Sequence, residues 1–557
     1  MINGAILRDA VISAANNVNN HRKAVDALNV FPVPDGDTGT NMSMTMMSAS
    51  RELARLPDDA TVTKVADVTS SAMLRGARGN SGVILSLIFR GIAKGLKGME
   101  EAGPKELVVA LSYGVESAYK AVMKPTEGTI LTVVRLSAKA GAEFASKNKE
   151  AELADVWKSV CDGAEEALKI TPDLLPVLKK AGVIDAGGQG LIYAFLGMLS
   201  VFKDGKMIED QSAEAESKGG AKTSNRETQE IKYAYLTKFK IKKNDSSKKI
   251  AIGLRAYLES IGEDVNIVEN DDDIDVSVQT DAPGNAIQEG LKYGMIISAG
   301  VENKRLENAS FSTVPESDSK DASVDGNQKS QKFEPVSPTN EVGFVSVAAG
   351  EGLGQMFREI GVDIVVTGGQ TMNPSTEDIL NAVEATPART VFVLPNNKNI
   401  IMAAEQVAPL SSRKVIVLPT RTIPQGISAM LQFDDGATIA ENHLAMSKAI
   451  DSVQTAQVTF AARDSVMDGQ EIKEGQILGM ENGAITVVED DLVSVAFKVT
   501  KHLCNRHTEI ITVFYGEGAT DADAEKLEKM ITEKFPNVDV TVINGGQPVY
   551  HFIISVE

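Results

Sequence analysis

The sequence predicts a multidomain chain of three structural classes in succession: an all-α region, a small α+β domain, and an α/β domain with a β-rich end. Three observations carry this. From Met1 to about Lys203 apolar residues recur at helical spacing, with no convincing strand alternation. Two polar stretches, Ser212–Glu230 and Ser317–Pro338, lack an apolar face and read as linkers. Beyond the second, short apolar strands alternate with helical segments, the pattern of a parallel sheet. The 557 residues thus divide into a helical domain (1–205), a linker (206–231), a middle domain (232–310), a linker (311–340) and a C-terminal domain (341–557).

In the first region Ile6, Ala10, Ala14 and Val18 fall on one helical stripe, and Val83–Phe89 begins a strongly buried helix. Further helices are expected at Leu107–Val122, Leu131–Phe144, Leu153–Leu168 and Gly190–Phe202. The middle domain offers strands at Leu236–Ile241 and Asp275–Thr280, and helices at Ala251–Ile261 and Pro283–Lys292. In the C-terminal domain Gly343–Val347, Ile364–Thr367, Val391–Leu394 and Val415–Leu418 read as strands. After Thr455 turns such as Asp468-Gly469 and Glu481-Asn482-Gly483 mark a β-rich stretch. It closes with a strand at Ile510–Tyr515, a helix at Ala522–Lys534, and strands at Val538–Ile543 and Val549–Val556.

Composition narrows the function classes. Lys and Arg number 56 against 76 Asp and Glu, a net charge of −20, which works against binding a phosphate backbone; no nucleic acid partner is expected. No apolar run is long enough to span a bilayer, and the N-terminus carries no basic-then-apolar signal pattern. With only Cys161 and Cys504, no disulfide framework is plausible, and a reducing cytoplasm is the expected location.

The most informative segment is Asn29-Val30-Phe31-Pro32-Val33-Pro34-Asp35-Gly36-Asp37-Thr38-Gly39-Thr40-Asn41-Met42. Proline fixes φ and cannot continue a helix, so Val33 to Gly39 should be a turn on which Asp35 and Asp37 converge. Such hard oxygens suit Mg²⁺, which takes a few carboxylates and fills its other positions with water and substrate phosphate. A nucleotide-dependent phosphotransferase is the first reading. An EF-hand fails because its sixth position is Thr40 and its twelfth Met46. Asp37-Thr38-Gly39-Thr40 lacks the lysine of a P-type ATPase phosphorylation site. A plain structural turn remains the bland alternative.

Three weaker elements accompany it. Arg75-Gly76-Ala77-Arg78-Gly79-Asn80-Ser81-Gly82 opens the buried helix, where backbone N–H groups and the helix N-terminus favour an anion. No Gly-Lys-Ser/Thr follows, so it is not a Walker A loop. Tight helix packing through Gly76, Gly79 and Gly82 explains it slightly better when taken alone. Asp185-Ala186-Gly187-Gly188-Gln189-Gly190-Leu191 suits a loop against a ribose or adenine, and equally an N-cap followed by a packing turn. Pro125-Thr126-Glu127-Gly128-Thr129 starts a helix with Thr129 as cap or phosphate contact.

Asn29–Met42, Arg75–Ser86, Glu127–Thr132 and Asp185–Leu191 together resemble the motifs of the ATP-binding domain shared with the L subunit of dihydroxyacetone kinase. With the two following domains, nearly the whole chain is similar to the ATP-binding A subunit of bacterial fatty acid kinase. The resemblance implies an antiparallel helical barrel holding ATP with two Mg²⁺ ions at its mouth. Asp35 and Asp37 would be the metal ligands, with Thr38 and Asn41 supporting the metal–phosphate cluster. Gly79, Asn80 and Ser81 would contact phosphates, and Asp185 and Gly187 would lie near the nucleoside. In the dihydroxyacetone kinase relative a third Asp precedes the pair by five residues; here that position is Val30.

The resemblance also implies a homodimer and a separate fatty-acid-binding (B) subunit that presents an acyl carboxylate, to which the γ-phosphate passes to give an acyl phosphate. A carboxylate is already ionised near neutral pH and needs no general base. Catalysis then reduces to in-line positioning and charge neutralisation, with Arg78 a candidate donor. Related proteins commonly carry a His-x-His pair and a Cys in the middle domain, where this chain has Ser277, Gln279 and Ala234. No transition-metal site is therefore expected there. Two alternatives remain: a nucleotide-binding scaffold without turnover, and a kinase of small metabolites of the dihydroxyacetone type.

In the C-terminal domain Gly350-x-Gly352-x-Gly354 puts Gln355 where a dinucleotide fingerprint needs its last glycine, so NAD is rejected. Gly368-Gly369, Asn373, Asn396, Asn397, Asn399 and Arg421 follow successive strands, where open α/β sheets bind ligands. Docking of the fatty-acid-binding partner and ordinary turn chemistry account for them about equally. His502-x-Cys504-x-x-His507 offers three zinc ligands where a closed site needs four, so surface histidines are expected.

Overall fold

The computed structural model describes residues 1–29, 36–122, 124–211, 233, 235–243, 251–269, 273–303, 333–369, 372–461, 465–467 and 470–557. Asp35, most of the segment 206–231 and most of 311–340 lie outside these. Residues Met1–Lys218 and Asn327–Glu557 form one compact unit and Gly219–Gly326 a second.

The first unit begins with helices α1 (Gly4–Asn20), α2 (Arg22–Leu28), α3 (Thr38–Leu53), α4 (Val62–Arg75), α5 (Gly79–Gly95) and α6 (Pro104–Ala121). They continue as α7 (Ile130–Lys147), α8 (Leu153–Lys169), α9 (Thr171–Leu174), α10 (Pro176–Ala181) and α11 (Ala186–Asp204). Packing runs in a ring: α1 on α3, α3 on α5, α5 on α6, α6 on α7, α7 on α8, α8 on α11, and α11 back on α1. Ala10, Ala14 and Val18 are fully buried as their stripe requires, but Ile6 is 37% exposed and Leu7 takes the inward place. Trp157 fills the ring, edge-on to Phe195 and Phe202 at 5.5 and 5.4 Å, with Nε1 donating to the Phe195 carbonyl at 3.1 Å.

Helices α6 and α11 start three and four residues earlier than periodicity alone predicts, and in both cases capping is the reason. The Glu106 carboxylate accepts from Gly103 N at 3.0 Å and Pro104 takes the first turn, so α6 begins three residues before Leu107. Asp185 accepts from Gly188 N at 2.6 Å and starts α11 at Ala186. The first five residues after Lys206 are no loose linker. Asn16 donates to the Ile208 carbonyl at 2.9 Å, Asn20 to the Glu209 carbonyl at 2.8 Å, and Asn19 to Asp210 at 3.0 Å.

The second unit holds β1 (Tyr235–Lys243), α12 (Ala251–Ile261), β2 (Gly262–Glu269), β3 (Asp273–Thr280), α13 (Pro283–Gly290) and β4 (Gly294–Asn303). Its antiparallel sheet has the order β2-β3-β1-β4. The two outer strands went unpredicted. Strand β2 begins at Gly262 with no residue between it and α12, and β4 leaves Met295, Ile297 and Val301 exposed, which blurs its alternation. On β3, Ile274, Val276, Val278 and Thr280 face the core. Ser277 and Gln279 lie on the opposite face, registered with Lys238 and Leu236 of β1.

After the second linker the first unit resumes with β5 (Asn340–Ala348), α14 (Glu351–Glu359), β6 (Ile364–Thr367), α15 (Thr376–Ala385), β7 (Ala388–Leu394), α16 (Lys398–Glu405) and β8 (Lys414–Val417). These strands are parallel, in the order β6-β5-β7-β8. Helices α17 (Ile423–Leu431) and α18 (Ile439–Ser452) lead into a second sheet. It comprises β9 (Gln454–Phe460), the hairpin β10 (Ser465–Met467) and β11 (Gln470–Ile472), β12 (Ile477–Glu481), β13 (Ala484–Glu489), α19 (Leu492–Leu503), β14 (Ile510–Tyr515), α20 (Asp521–Lys534), β15 (Asp539–Asn544) and β16 (Phe552–Val556). Apart from the separate hairpin its order is β13-β12-β9-β16-β14-β15.

Three details of this region go beyond the sequence reading. Residues 333–339 belong to the domain: Val336 N bonds the Glu384 carbonyl at 3.1 Å and Thr339 N the Pro387 carbonyl at 3.0 Å. The last strand starts at Phe552, because Val549 has φ 69° and Tyr550 N turns back to the Pro548 carbonyl. The glycines of Gly350-x-Gly352 let the Asn544–Gln547 loop lie against the start of α14, where Leu353 N donates to the Gly545 carbonyl at 3.1 Å.

The helical and α/β domains share a core. Ala77, Val83 and Leu87 pack with Val345, Val347, Val366 and Ile379 in one buried cluster. Thr376 N donates to the Ala77 carbonyl at 3.0 Å, and Arg78 bridges backbone-to-backbone with Ser375. Among the described residues, no helix is long and apolar enough to cross a membrane.

Candidate functional site

Asp37 stands at the start of α3 but makes no side-chain cap to its own helix. Asp26, on α2, does that work: its carboxylate accepts from Thr40 N at 3.0 Å and from Thr40 Oγ1 at 2.8 Å. The Asp37 carboxylate instead accepts a hydrogen bond from Asn373 Nδ2 at 2.7 Å, across the boundary with the α/β domain. Thr38 and Asn41, in the first turn of α3, are buried beside it.

The second element runs from Gly76 to Gly82. A side chain at Gly76 would collide with Ser48 and one at Gly82 with Thr45, so these glycines serve close packing of α4 and α5 on α3. Gly79 has φ +58°, and a Cβ there would lie 2.5 Å from Asn41 Nδ2, so an L side chain at this position is strained and crowds the Asn41 amide. Between them Asn80 and Ser81 face a cavity. Arg78 does not line it: its guanidinium donates to the Asn373 carbonyl at 2.6 Å and lies 3.3 Å from Asp378. Burial lowers the Arg78 pKa, and Asp378 opposes that shift.

The cavity, about 370 Å³, brings together Asp37, Thr38, Asn41, Asn80, Ser81, Thr129, Asp185 and Gly187. Eight positions named from sequence thus converge on one space, from four separate helix starts. Thr129 caps α7 while its Oγ1 donates to the Thr126 carbonyl at 2.7 Å. Desolvation pushes the Asp185 carboxyl up to about 6, although backbone N–H groups of Gly188 and Ile130 favour its charged form. The remaining wall includes Lys124, and Lys398 and Asn399 from the α/β domain.

The sequence did not reveal Asp26, Lys124 or Lys398. Asn373 and Asn399 were singled out, equally as a surface for another protein and as ordinary turn residues. In the structure Asn373 meets Asp37, and Asn80 Nδ2 meets Asn399 Oδ1 at 3.3 Å, so these two residues dock the chain's own helical domain. Asn80 Oδ1 is buried with no hydrogen-bond partner among the described residues. In the distal triplet, His502 Nδ1 lies 2.7 Å from Glu481 and burial pushes the Cys504 thiol up to about 11.

As a donor set, the Asp37 carboxylate beside hydroxyl and amide oxygens, with Lys124 and Lys398 lining the same cavity, fits a hard cation shared with an anionic ligand better than a closed protein cage. A helical domain with this cavity, matching the DAK2 domain over residues 32–200, places the chain in a kinase class. Residues 232–310 match the FakA-like middle domain of fatty acid kinase, and residues 343–557 the FakA-like C-terminal domain. Protein YloV of Bacillus subtilis is 38% identical over 564 residues, covering 100% of this chain and 99% of that protein. The protein SERP0792 of Staphylococcus epidermidis is 36% identical over 562 residues, with 100% and 99% covered. The chain belongs to the FakA-like family of fatty acid kinase proteins. Among solved structures, the dihydroxyacetone kinase of C. freundii in complex with AMP-PNP and Mg²⁺ is 18% identical, with a TM-score of 0.28 over 35% of this chain and 33% of that one.

Proposed function

We propose that the chain is the ATP-dependent kinase component of a two-component fatty acid kinase, phosphorylating the carboxylate of a fatty acid that a separate binding protein presents. The convergence of Asp37, Thr38, Asn41, Asn80, Ser81, Asp185 and Gly187 on one cavity carries the reading. The family is described after one subunit of fatty acid kinase, which supports the existence of a second component.

In this proposal Asp37, with Asp35, would hold Mg²⁺. When bound, the metal supplies neutralisation of the triphosphate charge. Asn80 and Ser81 bind phosphate oxygens, with the α5 N-terminus behind them favouring negative charge. Asp185 and Gly187 border the nucleoside end. An acyl carboxylate oxygen forms a bond to the γ-phosphorus as the bond to the ADP oxygen breaks, and no proton need be moved. The protein's task is alignment and electrostatic support.

The test is Mg-ATP consumption by the purified chain with oleate loaded on a bacterial fatty-acid-binding partner. Turnover that needs both lipid and partner, and is lost in Asp37→Asn, supports the proposal. ATP binding without turnover under every lipid and partner condition would replace it with a nucleotide-binding scaffold.

A further inference from the structure

The phosphate-facing turn Arg75–Gly82 has no lysine, and Arg78 is committed to the Asn373 carbonyl and Asp378. The structure brings a cation from elsewhere. Lys398, the first residue of α16 in the α/β domain, lines the same cavity as Asp37, Asn80 and Ser81. Among the described residues it takes part in no ion pair, and it is exposed to the cavity's solvent.

Its backbone is firmly set. Asn397 caps α16 by accepting from Asn399 N at 2.8 Å and donates to the Gly369 carbonyl. Asn396, in a left-handed conformation at φ 55°, donates to Ser346 Oγ at 2.9 Å and the Val347 carbonyl at 3.0 Å. The neighbouring Asn399 touches Asn80, whose buried Oδ1 lacks a partner among the described residues. A lysine on a fixed backbone thus lines, with Asp37, Asn80 and Ser81, a cavity of about 370 Å³, a nucleotide-binding size.

We propose that the α/β domain is a working part of the nucleotide site, and that Lys398 is a residue binding the polyphosphate of the nucleotide. This rests on the nucleotide reading above. A lysine serves here as a point charge on a flexible stem, the role a P-loop lysine plays from within its own loop.

The test uses the full chain and calorimetric titration with Mg²⁺ and the β,γ-imido analogue of ATP, and separately with AMP. Lys398→Ala should weaken the triphosphate analogue about tenfold, the effect of losing roughly one charge-assisted hydrogen bond. AMP affinity should stay within twofold, Lys398→Arg should recover most of the loss, and Lys414→Ala, an exposed lysine on β8, should change nothing. Unchanged triphosphate affinity in Lys398→Ala, or equal losses for both nucleotides, would overturn the assignment. Failure of the unmodified chain to bind either nucleotide would overturn the nucleotide reading itself, and the role of Lys398 with it.

Discussion

Asn373 donates a 2.7 Å hydrogen bond from its amide to the Asp37 carboxylate, joining residues 336 positions apart in the chain. The contact ties the acidic turn of the helical domain to the loop after β6 of the α/β domain. Asn373 is buried, so water cannot simply replace its amide if it is removed. We expect Asn373→Ala to weaken Mg²⁺-dependent nucleotide binding about tenfold, since a hydrogen bond to a charged group is worth roughly 1.5–3 kcal/mol. Asn373→Asp should be worse, because it sets a second negative charge against Asp37. A Mg²⁺ titration at fixed nucleotide checks both; equal affinity in all three proteins would show that Asp37 needs no such support.

Arg78 tests the joint rather than the chemistry. Its guanidinium reaches the Asn373 carbonyl and Asp378, and the Arg78 and Asp378 side chains are 19% and 21% exposed. Arg78→Ala should cost about 2 kcal/mol, below the full value for a buried pair because solvent still reaches it. Thermal unfolding measures the loss, and limited proteolysis near residues 373–378 should quicken. Arg78→Lys keeps the charge but loses the fork, so its stability should fall between those of the parent and Arg78→Ala.

Gly79 has a backbone that other residues resist. At φ +58° an alanine costs about 1–2 kcal/mol, and its methyl group would push on the Asn41 amide 2.5 Å away. Gly79→Ala should therefore lower both the melting temperature and nucleotide affinity. A stability loss with binding intact would mean that Asn41 takes no part in the site.

Asp185 predicts a pH dependence of definite sign. Its carboxyl titrates near 6 when folded against 3.8 as the ordinary value, so the folded state binds the extra proton between those limits. Its contribution to stability therefore falls as pH rises from about 4 to about 6. Asp185→Asn removes the titration while keeping an acceptor for Gly188 N. The variant should show a flatter melting temperature over that window than the parent; parallel curves would place the carboxyl at its ordinary value.

The four Gly/Asp/Ser/Thr helix starts were legible because each is a local pattern. A turn residue, a cap and an apolar helix lie within a dozen positions, and eight of the named residues meet in one cavity. The parallel strands were legible for the same reason, as apolar runs between turns. What escaped were relations between distant residues. Arg78 looks like a phosphate donor because any arginine at a helix start does; its partner Asp378 carried only the signature of its own capping box with Ser375. The asparagines after β6 and β7 read equally as a docking surface and as turn chemistry, and nothing local says that one of them meets residue 37 of the same chain. Ile6 and Leu7 show the same limit in miniature, since two adjacent apolar residues leave the inward one undecided.

Helix α5 has two clients. Leu85, Ile88 and Phe89 belong to the core of the helical ring, while Val83 and Leu87 belong to the core of the parallel sheet. A truncated helical domain would leave Ala77, Val83 and Leu87 without their cover and gain an apolar stripe on its surface. Separation of the two domains, by evolution or by a protein engineer, would thus require resurfacing α5 first.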